Sequence, residues 1–191
     1  MMMIQKACLK AKLVDEIYVY CSNSEVKEYI LPGVKFLPRP DSLDTDKANS
    51  NDIIREFIKA VDADIYVETH ATGPFTRAES IDACINAVAS NKYDSAFLAK
   101  KLQEFLWQDG TALNFDIQHF PRTQDLVPIY SEAPGAYVFT RNCFEKYNRR
   151  VGVKPYIHEI SEIESIDIDY PEDFEIANAI YMSLIKGKRD D

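Results

Sequence analysis

The 191-residue sequence contains no Cys-x-x-Cys pair. Cys8, Cys21, Cys84 and Cys143 are scattered singly, which excludes zinc-site spacing and a disulfide framework and predicts reduced thiols. Long apolar runs are also missing. The start, MMMIQKACLKAKL, carries lysines where a signal peptide needs an unbroken apolar core, and no other stretch approaches the length of a spanning helix. These absences predict a cytoplasmic location and no membrane partner. Positive charge is scarce: 22 Lys and Arg stand against 31 Asp and Glu, a net charge of −9. Sequence-independent nucleic-acid binding needs basic residues to displace counterions from phosphates, so no nucleic-acid partner is expected. A cleft can still gather a few cations around a small anion. Repeats and low-complexity tracts are absent.

What is present suits one globular domain spanning 1–191, with 46% hydrophobic residues. Short apolar runs rich in β-branched and aromatic residues read as strands: EIYVYC (16–21), VKFL (34–37), DIYVET (64–69), DSAFLA (94–99) and GAYVFT (135–140). Between them, NSNDIIREFIKAV (49–61) places Ile53, Ile54, Phe57, Ile58 and Val61 on one helical stripe, with Ser50 or Asn51 as N-cap. RAESIDACINAVAS (77–90) repeats that pattern through Ile81, Cys84, Ile85 and Val88. The alternation predicts a Rossmann-like α/β fold, a mostly parallel sheet with helices on both faces. Residues 100–132 break the rhythm and hold the only Trp, which marks them as an insertion serving function or an interface. The tail KGKRDD reads as a frayed end.

In open α/β sheets ligands bind at the carboxyl ends of strands. The segments there, SNSE (22–25), PRPDSL (38–43) and THATGPFT (69–76), are rich in hydroxyls and amides and suit a polar, phosphate-bearing or sugar-like ligand. A further stretch, SIDIDYPEDFEIA (165–177), reads as a strand end in which Asp167 and Asp169 share one face and Ile166 and Ile168 the other. Magnesium takes one or two protein carboxylates plus substrate phosphate oxygens, which such a pair supplies. An alternative reading is that Asp169, Glu172 and Asp173 charge the start of a final helix with Pro171 in its first turn. That reading leaves Asp167 unexplained, and the two can coexist. His70 follows a strand as a lone histidine with no partner identifiable in sequence, so a hydrogen-bonding or structural role is expected ahead of acid–base chemistry.

Five segments in order, CSNSE (21–25), RPDSLDTDKANS (39–50), HATGPFT (70–76), QDLVPIYSEAPGAYVF (124–139) and IDIDYPEDF (166–174), resemble the motifs of CMP-sialic acid synthetases, the acylneuraminate cytidylyltransferase family. The resemblance implies a fold of the nucleotide-diphosphosugar transferase type, CTP and an acidic sugar as substrates, Mg2+ as cofactor, and a homodimer built through 100–132. By position it implies Ser22, Arg39 and Ser50 at the nucleotide, His70, Thr72, Arg122 and Gln124 at the sugar, and Asp167 and Asp169 at the metal, with Arg122, Asp167 and Asp169 as the catalytic set. Departures from the family pattern are Asn23 for aspartate, His70 for glutamine, Gly73 for serine, Thr76 for arginine and Pro134 for asparagine. The glycine- and lysine-rich phosphate loop of the family is not found in this sequence. A second expectation is therefore a shortened or catalytically silent relative acting as a binding subunit. A third takes Asp-Ile-Asp as the metal motif of a sugar-nucleotide-dependent glycosyltransferase.

Overall fold

The computed structural model describes residues 1–187. It opens with α1 (Met2–Lys10) and then alternates: β1 (Tyr18–Cys21), β2 (Lys35–Pro38), α2 (Ser50–Ala60), β3 (Ile65–Glu68), α3 (Ala78–Ala89) and β4 (Ser95–Leu102). A small hairpin of β5 (Trp107–Gln108) and β6 (Thr111–Ala112) follows, then β7 (Ile129–Thr140), α4 (Arg141–Tyr147), β8 (Pro155–Ile160) and α5 (Pro171–Gly187). The rest of the expected frayed tail, residues 188–191, lies outside the described residues. No helix among the described residues is long and apolar enough to cross a membrane.

The main sheet has the order β3-β7-β4-β8. Strand β7 is antiparallel to both neighbours while β4 and β8 are parallel, so three strands share one direction and β7 alone opposes them. β1 and β2 pair in parallel as a separate two-stranded sheet.

Helices cover both faces, as the alternation predicts. On one face, Ile4, Ala7 and Cys8 of α1 and Ile81, Cys84, Ile85 and Val88 of α3 bury against Ala96, Leu98 and Val138. On the other, Ile54 and Ile58 of α2 and Phe144 of α4 enclose Tyr66 and Phe139. Full burial of each such side chain contributes about 1.5–3 kcal/mol. Phe57 of α2 reaches across both sheets, its ring centroid 5.7 Å from Tyr18, 5.3 Å from Tyr20 and 6.3 Å from Tyr66, all edge-on. On the α1 side, Ile17 packs against the same core as Ile65 and Val67. Helix packing therefore ties the two sheets together where no ladder does.

Several boundaries differ from expectation for physical reasons. Helix α2 is capped by Asn49, one residue earlier than the Ser50 or Asn51 expected, because Asn49 and Asp52 form a reciprocal capping box. Strand β8 was not anticipated; it is an edge strand whose Tyr, His and Glu alternate with apolar residues. SIDID is not a strand, since β8 already fills the place beside β4 and residues 166–169 run as irregular chain. Within 100–132, the ends of β4 and β7 extend into an arm closed by the β5–β6 hairpin. Its turn residues Asp109 and Gly110 both have positive φ (49° and 78°), the geometry of a two-residue hairpin loop.

Candidate active site

Two polar clusters form where strand ends give way to loops. The first lies after β1 and β2. There Asp44 accepts from Ser22 and from Arg39 Nη2 at 2.6 Å, and these two bonds, that of Ser22 foremost, hold its carboxyl below the usual range. Arg39 Nε is buried without any partner. Ser50 is exposed at the first turn of α2, its backbone region organised by Asn49.

The second cluster lies at the end of β3. The 70–76 turn packs against β7, with His70 N–H donating to Pro134 O (3.2 Å) and Gly73 N–H to His70 O (3.2 Å). The irregular 165–169 segment is laid along this turn: Ile168 N–H donates to Thr72 O at 3.0 Å. It is held there by Glu164, a carboxylate only 3% exposed that accepts the Arg77 N–H (3.0 Å) at the start of α3. Asp167 and Asp169 are thus brought beside His70 and Thr72, though not by a shared strand face.

Asp173, not Asp169, caps α5, its Oδ2 accepting the N–H groups of Asp169 (3.1 Å) and Tyr170 (2.8 Å). Capping therefore accounts for neither Asp167 nor Asp169. Asp167 Oδ1 is buried without a partner. Among the described residues no group of three or more His, Cys, Asp or Glu is placed to hold a metal by itself. A pair of carboxylates, one with an orphaned buried oxygen, instead fits a hydrated Mg2+ that takes its remaining ligands from substrate phosphates and water.

Beneath His70 the structure reveals a network that single-residue reading missed. Glu68, the last residue of β3, accepts from Arg150 Nη1 at 2.7 Å and lies 3.4 Å from His70 Nε2. Burial works against ionisation of Glu68, but His70 and Arg150 outweigh it and hold its carboxyl below the usual range. The Arg150 guanidinium lies over the Tyr137 ring, 3.4 Å from its centroid, and Tyr137 Oη donates to Glu132 at 2.8 Å.

Burial, opposed by Arg150 and reinforced by Glu132, pushes the Tyr137 phenol up to about 12. A raised folded-state value means that its stabilising contribution is complete below the unfolded value of about 10 and is lost as pH climbs toward the folded one. Chemical denaturation at pH 9–12 should show the wild type losing stability across that window and Tyr137→Phe losing distinctly less.

Arg122 and Gln124 stand apart from these clusters, in a short turn of the arm. Arg122 is 75% exposed, and its fork is engaged by Asp125 through bonds of 2.8 and 3.0 Å. The arm carries a knot of edge-packed aromatics, Phe105, Trp107, Phe115 and Phe120, with centroids 4.7–5.4 Å apart. Trp107, Ile117, Phe120 and Val127 are more than half exposed there.

Comparison with known proteins places these features in context. The sequence profile described as Cytidylyltransferase matches residues 2–188. An N-acylneuraminate cytidylyltransferase of Streptococcus agalactiae serotype V is 21% identical over 179 residues, 88% of this chain. The chain spans 43% of the length of that relative. A CMP:2-keto-3-deoxy-manno-octonic acid synthetase solved with CTP superposes with a TM-score of 0.69 at 16% identity, covering 95% of this chain and 86% of its own. A 4-diphosphocytidyl-2C-methyl-D-erythritol synthase from Anaerococcus prevotii gives 0.63 at 16% identity, covering 95% and 85%. Both share the α/β nucleotidyltransferase fold.

Proposed function

The chain belongs to the cytidylyltransferase family, and on that premise we propose that it joins CTP to an acidic sugar of the sialic or ketodeoxyoctonic type, giving a CMP-sugar and pyrophosphate. One observation carries the reading: the two buried side-chain atoms left without partners among the described residues are Arg39 Nε and Asp167 Oδ1. One is a donor on a cation and the other an acceptor on an anion. Native proteins rarely leave such groups unpaired unless a ligand or ion completes them. An anionic nucleotide answers the first and a divalent cation the second.

In this reading Arg39 and Ser22 hold the nucleotide beside the N-terminal turn of α2. Asp167 and Asp169 hold Mg2+, which when bound neutralises charge developing on the triphosphate as a sugar hydroxyl attacks the α-phosphorus. His70 and Thr72 face the sugar, and positioning and charge stabilisation do most of the work. Arg122 takes the sugar carboxylate, displacing Asp125 from its fork, the bidentate geometry suiting either carboxylate. The exposed apolar residues of the arm pair with a second copy, giving a homodimer, and the site operates in the cytoplasm.

Calorimetric titration of CTP with Mg2+ tests the site. Binding should require Mg2+ and weaken at least about tenfold in Asp167→Ala, one metal-mediated contact being worth more than 1.4 kcal/mol. The variant should melt no lower than wild type, because Asp167 Oδ1 has no partner to lose. Equal affinity with and without Mg2+ would remove Asp167 from the metal role, and no binding at millimolar CTP would overturn the reading.

A further inference from the structure

Read alone, His70 has no partner in sequence; in the fold it has two. Its Nε2 lies 3.4 Å from Glu68 Oε1 and 3.3 Å from Arg150 Nη1. Glu68 is itself fixed by the 2.7 Å bond from Arg150, whose guanidinium is pinned flat on Tyr137. The charged and titratable groups around the imidazole are therefore Glu68 on its own strand, Arg150 from the segment after α4, and Tyr137 with Glu132 on β7. Tyr137 pairs with Glu68 across the β3–β7 ladder, and the His70 and Tyr137 rings are 6.0 Å apart. The imidazole is about one-third exposed, at the turn along which the Asp167 segment is laid.

A carboxylate can only accept, so it favours the tautomer with the proton on Nε2. That leaves Nδ1 bare. The Arg150 contact to the same nitrogen favours the opposite tautomer, but Arg150 already makes its short bond to Glu68, and the contact to His70 is the longer one. An imidazole oriented by a carboxylate behind it, with its other nitrogen free, is the arrangement by which histidine takes a proton from a hydroxyl as that hydroxyl becomes a nucleophile.

Resting on the cytidylyltransferase reading, we propose that His70 is the catalytic base of the transfer and that Glu68 and Arg150 are its positioning residues. The sugar O–H bond breaks and its proton passes to Nδ1. The freed oxygen pair forms the bond to the α-phosphorus of CTP, and the bond from that phosphorus to the bridging oxygen breaks, releasing pyrophosphate. The imidazolium so formed faces Glu68, while Arg150 opposes it and favours the return of the proton to solvent. Glutamine can hydrogen-bond at this position but cannot accept a proton, so His70→Gln separates the two roles.

The experiment measures pyrophosphate release from CTP and Mg2+ with N-acylneuraminate or 2-keto-3-deoxy-manno-octonate, across pH 5 to 9. In His70→Gln, kcat should fall about 100-fold or more with the KM for CTP unchanged, and the acid limb of the kcat profile should disappear. Arg150→Lys should retain the limb but lower kcat, because Glu68 loses its planar partner. Loss of less than tenfold in His70→Gln, or survival of its acid limb, would overturn the assignment. A wild type that releases no pyrophosphate overturns the transferase reading and this role with it. That outcome is distinct from failure of the base alone, which leaves turnover intact in His70→Gln. Independently of turnover, nitrogen NMR of the imidazoles, of which the chain has three, reads the tautomer. A proton on Nε2 of His70 supports the dyad, and a proton on Nδ1 overturns it.

Discussion

Glu164→Ala is expected to destabilise the fold by about 3 kcal/mol, because removing one side of a buried, hydrogen-bonded charge contact leaves the other side unpaired. Arg77 is the N-cap of α3 and its own side chain makes no capping bond. Glu164, 87 residues further along, supplies the missing acceptor to the Arg77 N–H at 3.0 Å and also lies 3.6 Å from Arg77 Nε. Its carboxylate sits at the positive end of the helix dipole. Helix α3 places Ile81, Cys84 and Val88 in the main core, each 0–1% exposed, so an error at its start reaches the centre of the molecule. For a chain of this size, about 3 kcal/mol corresponds to a fall in Tm of roughly 6–12 °C. Glu164→Gln keeps an acceptor and should lose less than half as much. Thermal and urea unfolding of both variants check the order. A cost below about 1 kcal/mol for Glu164→Ala would mean that the helix start is satisfied by other means.

The same contact explains why SIDID was read correctly as a site and wrongly as a strand. Alternation of Ile and Asp has a period of two, which in sequence signals a pleated strand. The segment is extended enough to keep that look, but it is pinned by Glu164 at one end, by the Ile168 bond to Thr72 in its middle and by Asp173 at the start of α5. Those are side-chain and loop bonds to residues 70–90 positions away or to the next helix, invisible to any local pattern. Helices α2 and α3 were legible because their apolar stripes decide their burial without outside help. Strand β8 was not, because Pro155, His158 and Glu159 dilute its apolar signal while pairing with β4 supplies the order.

At the site, the residues with ligand-shaped chemistry were legible and their partners were not. Arg39 stands out between two prolines, and Asp167 in its acidic pair. Arg150 does not, since NRRVG after α4 reads as an ordinary basic turn. Its role depends on the fold bringing it to Glu68, 82 residues earlier, and onto the face of Tyr137. Asp44, likewise, is one acid among several in RPDSLDTD until Ser22 and Arg39 converge on it.

Gly135→Val is expected to destabilise the protein by about 3 kcal/mol or more and to damage nucleotide binding at the same time. A Cβ at Gly135 would come within 2.4 Å of Thr76 Oγ1 and 2.8 Å of Leu98 Cδ1. Neither neighbour can retreat freely. Leu98 is fully buried in the sheet, and Thr76, 6% exposed, donates to Gly73 O at 3.1 Å and so braces the 70–76 turn from inside. The glycine is required here for closeness, because its backbone conformation is open to any residue. Interiors packed at crystal-like density move as a block when overfilled. The strain passes from β7 through Thr76 into the turn that carries His70 and Thr72, and from Thr72 O to the Asp167 segment. Gly135→Ala should show the same pattern more weakly, at about 1–3 kcal/mol. The decisive comparison is with Glu164→Gln at matched loss of stability. If Gly135→Ala weakens Mg2+-dependent CTP binding no more than that variant does, the 70–76 turn is not the element that aligns the site. A disproportionate loss of CTP binding would identify contact between β7 and this turn as what sets the position of the catalytic edge.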